Sequence, residues 1–199
     1  GEGYYQNIYG AGNSFNLGLN DHVTLGGGLV GPVGAFINVK VGIKLANYVT
    51  VAAGAIVGNS FFPLGGNNFG AGLGFAVVTF GNLDHNITVG TGYGFMDSKG
   101  SARWQDKPLY VANGMIRVAQ KFALVTENWI ANVPVGWLDG SGSGQKHYDT
   151  FFSYAFRYMG QRNTLDAGFL NTPELINSGW YIGIPYIGFV IRFGKYKEE

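Results

Sequence analysis

The chain has 199 residues, 34 of them glycine, with 16% aromatic and 13% charged side chains and a formal net charge of +1. A soluble domain carries about 25% charge, and a balance this close to zero, without a basic run, excludes the electrostatic footprint of a nucleic-acid binder. The lack of cysteine excludes disulfides and thiolate metal centres, and no uncharged apolar run approaches the roughly 20 residues of a membrane-spanning helix.

Period-two alternation predicts eleven strands, near residues 4–18, 23–31, 36–45, 49–58, 69–81, 86–96, 108–119, 122–132, 149–159, 164–171 and 180–194. Connections after odd-numbered strands are tight and polar, at 19–22, 46–48, 82–85, 120–121 and 160–163. Those after even-numbered strands are long, at 59–68, 97–107, 133–148 and 171–179, with the short 31–34 as the exception. Short turns at one rim and long loops at the other are the asymmetry of an outer-membrane barrel. Ten residues rising about 3.3 Å each at a tilt of about 45° climb about 23 Å, close to the apolar band of such barrels.

The faces of the strands are unlike. In Asn86 to Asp97, Ile87, Val89, Thr91, Tyr93 and Phe95 share one parity and Gly90, Gly92 and Gly94 the other. Lys40 and Lys44 lie opposite Ile37, Val39, Val41, Ile43 and Leu45; Arg157 lies opposite Phe152, Tyr154, Phe156 and Tyr158. Asp166 lies opposite Leu165 and Ala167, and Arg192 opposite Ile187, Phe189, Ile191 and Phe193. Arg117 and Glu127 have neighbours that alternate too weakly to fix a face and join the candidate lumen set. A glycine-rich face makes a poor soluble exterior but suits a crowded interior, and Gly70, Gly72 and Gly74 are expected on that inner face too. The apolar face is therefore assigned to lipid, with Ile87, Val89, Tyr93, Phe95, Phe152, Tyr154, Phe156, Ile187, Phe189, Ile191 and Phe193 as its clearest members. The expected fold is all-β: one domain over 1–199 forming a transmembrane antiparallel up-and-down barrel in the bacterial outer membrane. Eleven strands would leave the first and last parallel, so a twelfth is expected upstream of Gly1, in a chain whose export leader has been removed. Ten strands, by merging the last two, is the alternative.

The words Gly1 to Asn7 (GEGYYQN), Asn13 to Leu19 (NSFNLGL), Val78 to Asn82 (VTFGN), Ala123 to Trp129 (ALVTENW) and Ile182 to Lys195 (IGIPYIGFVIRFGK) resemble a family of exported Bacteroidota proteins described as hypothetical or outer-membrane proteins. The resemblance implies an outer-membrane barrel and brings no activity or catalytic residue with it.

The glycine runs at 70–75 and 90–95 alternate inside strands with no helix following, unlike a phosphate loop. His22, His85 and His147 are scattered, and neither Asp84–His85 nor His147–Asp149 has a nucleophile beside it. No cofactor, metal or catalytic residue is assigned. Lys40, Lys44, Arg157 and Arg192 against Asp166 make a net positive lumen, in which the charges either pair across and seal a small barrel or form a constriction favouring anions. Phe61, Phe62, Trp104 and Trp137 lie in connections, where large apolar side chains suggest either contact with a protein partner or folding of the loop over the barrel mouth. The expected function is a non-catalytic structural or accessory subunit of an envelope assembly, in contact with outer-membrane lipid and a protein partner. A narrow anion-preferring solute pore or transporter is the alternative, and an outer-membrane enzyme stands third.

Overall fold

The computed structural model describes residues 2–8, 12–62, 69–98, 101–134 and 146–194. The strands are β1 (Glu2–Ile8), β2 (Gly12–Gly18), β3 (Val23–Val30), β4 (Gly34–Ala46), β5 (Val49–Ser60), β6 (Phe69–Gly81), β7 (His85–Ser98), β8 (Ser101–Trp104), β9 (Leu109–Ala119), β10 (Phe122–Pro134), β11 (Lys146–Met159), β12 (Asn163–Asn171) and β13 (Ile184–Gly194). A five-residue helix, α1 (Pro173–Asn177), lies between the last two. Consecutive strands pair antiparallel, β7 pairs with both β6 and β9, and β13 returns to β1, so the sheet closes on itself with β8 as an added piece on β7.

The ring therefore holds twelve strands, all from this chain. Two sequence expectations change. The predicted strand 4–18 is two strands, β1 and β2, paired from Gly3↔Leu17 to Ile8↔Gly12. An odd number of residues separates Ile8 from Gly12, so odd positions share a face before and after the connection and the alternation runs through it unbroken. The twelfth strand expected upstream of Gly1 is thus the first half of that run, and β1 meets β13 antiparallel, from Glu2↔Gly194 to Ile8↔Gly188. The ten-strand alternative fails as well, because β12 and β13 pair with each other as separate strands.

The two rims keep the predicted asymmetry. Connections 19–22, 47–48, 82–84, 120–121 and 160–162 are short, and two are built by the same side-chain device. Asn20 Oδ1 accepts from the backbone N–H of His22 and Val23, both at 2.8 Å. Asn82 Oδ1 accepts from Asp84 at 2.9 Å and His85 at 2.8 Å. An asparagine that bonds the backbone two residues on mimics a turn at little cost. The other rim joins β5 to β6 and β10 to β11 and carries the segment with β8, the segment with α1 and the short 31–33. Thr172 caps α1, its Oγ1 accepting from Leu175 N at 3.2 Å, with Pro173 at the first helical position and Glu174 in the first turn.

Apolar burial is inverted relative to a soluble protein. The buried hydrophobic side chains among the described residues are Leu109, Ala123 and Ala155, whereas Ile37 is 68% exposed, Ile187 61% and Ile116 59%. Following the register around the ring, Leu25, Val39, Val57, Ile87, Ile116, Leu124, Phe156, Leu165 and Ile187 fall on one continuous exterior face. A closed ladder satisfies its backbone internally, and an apolar exterior of this kind is what a bilayer covers. No helix is long and apolar enough to cross a membrane among the described residues.

Candidate functional site

Twelve strands spaced about 4.8 Å apart and tilted about 40° enclose a cylinder roughly 24 Å across between backbones. That is wider than an eight-stranded barrel, which side chains fill, and narrower than a wide porin. What lines the lumen therefore decides what it does.

The register places all seven charged candidates on the inner face. Lys40 lies opposite Thr24 and Gly54, and Lys44 opposite Thr50. Arg157 lies between Ala123 and Asp166, and Arg192 opposite Tyr4. Arg117 and Glu127, whose face the alternation leaves open, are carried inward by their partners Ala123 and Ser153.

The charges divide into two groups. Arg157 donates from Nε and from Nη2 to the two oxygens of Asp166, each at 2.7 Å, a bidentate pair with side chains 30% and 17% exposed. Arg117 donates from Nη1 to Asp84 at 2.6 Å, and its backbone N–H bonds the Asp84 carbonyl at 2.9 Å. The Asp84 carboxylate is thereby engaged by arginine at the short-turn rim. Both pairs run laterally along the wall, between neighbouring strands or a strand and its adjacent turn. They do not bridge the lumen, because the register sets Arg157 directly opposite Asp166 on the next strand. Glu127 accepts from Trp129 Nε1 at 3.3 Å. On the other wall Lys40 and Lys44 are exposed to the lumen, and Lys40 borders a cavity of about 400 Å³ with Tyr4, Gln6, Asn16, Thr24 and Asn38.

The glycines follow a different rule from the one predicted. On β7, Gly90, Gly92 and Gly94 face inward. On β6 the parity is reversed: Gly70, Gly72 and Gly74 face outward, and Phe69, Ala71, Leu73, Phe75 and Val77 point into the lumen. The register forces this, since Gly72 and Gly74 pair with exterior Val57 and Ala55 on one side and with Phe95 and Tyr93 on the other. The Phe95 ring lies over Gly72, an aromatic side chain covering a bare cross-strand neighbour. Inside, the lumenal glycines make room for apolar side chains as well as polar ones. A Cβ on Gly28 would stand 2.7 Å from the Phe36 ring, one on Gly54 2.6 Å from Phe75, and one on Gly92 2.9 Å from Leu73. Gly94 is overlaid by Gln105, whose N–H bonds the Gly94 carbonyl at 2.9 Å, so this connection leans back over the barrel mouth.

Of the exterior candidates, Ile87, Val89, Tyr93, Tyr154, Phe156, Ile187 and Ile191 are strongly exposed on the outer face. Phe95, Phe152, Phe189 and Phe193 share that face but are half-covered by neighbours; Phe95 packs on Trp104 with centroids 5.2 Å apart, and Phe193 stacks on Phe15 at 4.9 Å. Trp104 thus sits on the short added strand β8. Phe61, Phe62 and Trp104 are exposed at the long-loop rim, and Trp137 lies outside the described residues. His22 contacts the Gly42 carbonyl at 3.2 Å and His85 opens β7, both at the short-turn rim; the His147 side chain lies outside the described residues. An exterior feature not anticipated is a depression of about 590 Å³ over Ala112, Gly114 and Ala167, walled by Ile87, Leu124 and Phe156. Thr126 and Asn128 form a polar part of its floor; Asn128 Nδ2 donates to the Ala112 carbonyl at 2.7 Å.

No family model and no curated protein matches the chain. Among solved structures the chain is similar to the NanC porin, at 11% identity and a TM-score of 0.58, over 96% of this chain and 97% of that one. It also matches OccD1 (OprD) at 8% identity and a TM-score of 0.47, over 94% of this chain and 59% of that one. The Acinetobacter baumannii outer membrane protein Omp33 matches at 12% identity and a TM-score of 0.45, over 98% and 96%. The fold is a closed antiparallel barrel of the outer-membrane porin type.

Proposed function

We propose that the chain is an integral outer-membrane barrel acting as a narrow solute pore that prefers anions, with no catalytic step. The observation that carries the reading is the division of the lumenal charges. Arg157 and Arg117 are held by carboxylates along one wall, while Lys40, exposed and bordering a cavity of about 400 Å³, offers its charge to whatever enters. A cationic side chain facing a confined aqueous passage lowers the barrier for anions and raises it for cations. The sequence resemblance to exported Bacteroidota proteins fits an envelope location and adds no solute. Reconstitution into planar bilayers under a potassium chloride gradient tests the proposal: the expected result is ohmic conductance with a reversal potential of anionic sign. Absence of conductance from correctly folded protein refutes it.

The accessory-subunit reading is favoured by one separate feature, the exterior depression with Thr126 and Asn128 in its floor, together with the exposed rings of Phe61, Phe62 and Trp104. Polar side chains on a lipid-facing surface suit contact with another protein better than contact with acyl chains. Mass spectrometry of what co-purifies from native membranes tests it, with Trp104→Ala expected to lose a stoichiometric partner.

A further inference from the structure

A pore for small hydrated anions needs no apolar wall, yet this one has such a wall. The inner face of β6 carries Phe69, Ala71, Leu73, Phe75 and Val77 in succession, and across β5 and β4 the same face continues through Ile56 and Phe36. Water against that surface is unfavourable by about 25 cal/mol per Å². The rings are also seated: the Phe36 ring rests on Gly28 and the Phe75 ring on Gly54, so glycines thin the wall where these side chains lie against it. The space left is a cavity of about 440 Å³ bounded by Val30, Phe36, Ile56, Phe69, Ala71 and Leu73. A pocket that takes a small molecule has about 300–1,000 Å³.

Phe36 and Ile56 also border the cavity of about 400 Å³ that Lys40 shares with Thr24 and Asn38. The two cavities therefore adjoin. Phe36 and Lys40 lie four residues apart on one face of β4, about 13 Å along the strand, and the lysine stem can shorten that span. An apolar compartment toward the long-loop rim thus opens onto a polar compartment with a cation at its edge. Neither half alone selects strongly: an apolar wall accepts any hydrocarbon, and one water-exposed lysine accepts any anion. Together they select molecules that carry both groups at the right separation.

We infer that the lumen holds a binding site for amphipathic anions, molecules with an aryl or short acyl group and a carboxylate-like head. The apolar group lies against Phe36, Ile56 and Leu73, and the head lies toward Lys40 with Asn38 and Thr24 as hydrogen-bonding neighbours. This names the solute class of the proposed pore, and its transport role rests on that reading; the binding itself does not.

The test separates binding from conduction. Protein in nanodiscs is equilibrated by dialysis with 4-phenylbutyrate, with its neutral counterpart 4-phenylbutanol and with acetate, and empty nanodiscs are subtracted. Each methylene buried is worth about a fourfold gain in affinity, so 4-phenylbutyrate is expected to bind at least about tenfold more tightly than acetate. Lys40→Gln is expected to weaken 4-phenylbutyrate about three- to tenfold and to leave 4-phenylbutanol unchanged, whereas Leu73→Ser weakens both. Ala71→Phe, which fills the apolar compartment, abolishes binding; if it does not fold, the two milder variants decide alone. Equal affinity for acetate and 4-phenylbutyrate, or a Leu73→Ser variant that binds like the parent, overturns the inference. Binding without bilayer conductance removes the pore reading and keeps the site, and conductance without binding does the reverse.

Discussion

Replacing Asp166 by asparagine should release the best-held charge in the barrel. Arg157 then loses two charge-assisted hydrogen bonds of 2.7 Å to a carboxylate. Removing one partner of a fully buried pair costs about 3–5 kcal/mol, and breaking a fully exposed one costs less than about 1 kcal/mol. With side chains 30% and 17% exposed, this pair lies between, and its loss should cost about 2 kcal/mol. At a denaturant slope of about 2 kcal/mol per M, the urea midpoint in detergent falls by about 1 M. The freed guanidinium faces the lumen, so anion preference in bilayers should rise at the same time. The double variant Arg157→Met with Asp166→Leu should recover most of the stability without adding charge. An Asp166→Asn protein with the parent's midpoint and reversal potential would refute the view that this ion pair both braces the wall and masks Arg157.

Other outcomes follow from the same geometry. Lys40→Glu combined with Lys44→Glu should reverse the sign of the reversal potential in a salt gradient, since both side chains are exposed on the inner face. Val39→Arg, on the exterior between Leu25 and Ala55, should cost about 2–4 kcal/mol in equilibrium unfolding if it lies near the bilayer midplane, while Asn38→Arg, one residue away and lumenal, should cost far less. Gly72→Ala should destabilise by about 1–3 kcal/mol, because the Phe95 ring already occupies the space of its Cβ, and Phe95→Leu in the same chain should restore part of the loss. Gly74→Ala, whose Cβ would meet nothing within 4 Å, should stay within about 0.5 kcal/mol of the parent; thermal unfolding of the pair checks both.

Most of the barrel is legible in the sequence because closure imposes period two on every strand and Asn-rich turns punctuate one rim. Two physical circumstances hide the rest. Between Ile8 and Gly12 the connection preserves parity, so one alternating run conceals two strands. On β6 both faces are apolar, with Ala76, Val78 and Phe80 outside and Leu73, Phe75 and Val77 inside; alternation of size is visible there, but its direction is fixed by the register with β5 and β7. Charges are a better guide than glycines for this reason. Lys40, Arg157 and Asp166 have one acceptable face, whereas glycine fits a crowded interior and, beneath Phe95, an exterior equally well. The lateral pairing of Arg157 with Asp166 depends on which residues come opposite each other on neighbouring strands, and Arg117 with Asp84 on a turn folded beside its strand; neither is written in any single segment. The helix α1 was within reach, since Thr172, Pro173 and Glu174 form an N-terminal capping pattern.

The inverted strand has a consequence for how the barrel assembles. Slipping β6 by one residue would turn Leu73, Phe75 and Val77 toward the acyl chains and bring its glycines inside, an arrangement the local pattern favours and the closed ring forbids. The strand is frustrated: the greasier of its two faces points away from lipid because its place in the ladder demands it. Its direction must be imposed by the hairpin it shares with β7, through the Asn82 turn, and by the long ladder with β5. Insertion of this barrel is thus most exposed to error at a single strand, and the same strand carries Leu73, Phe75 and Val77 into the lumen.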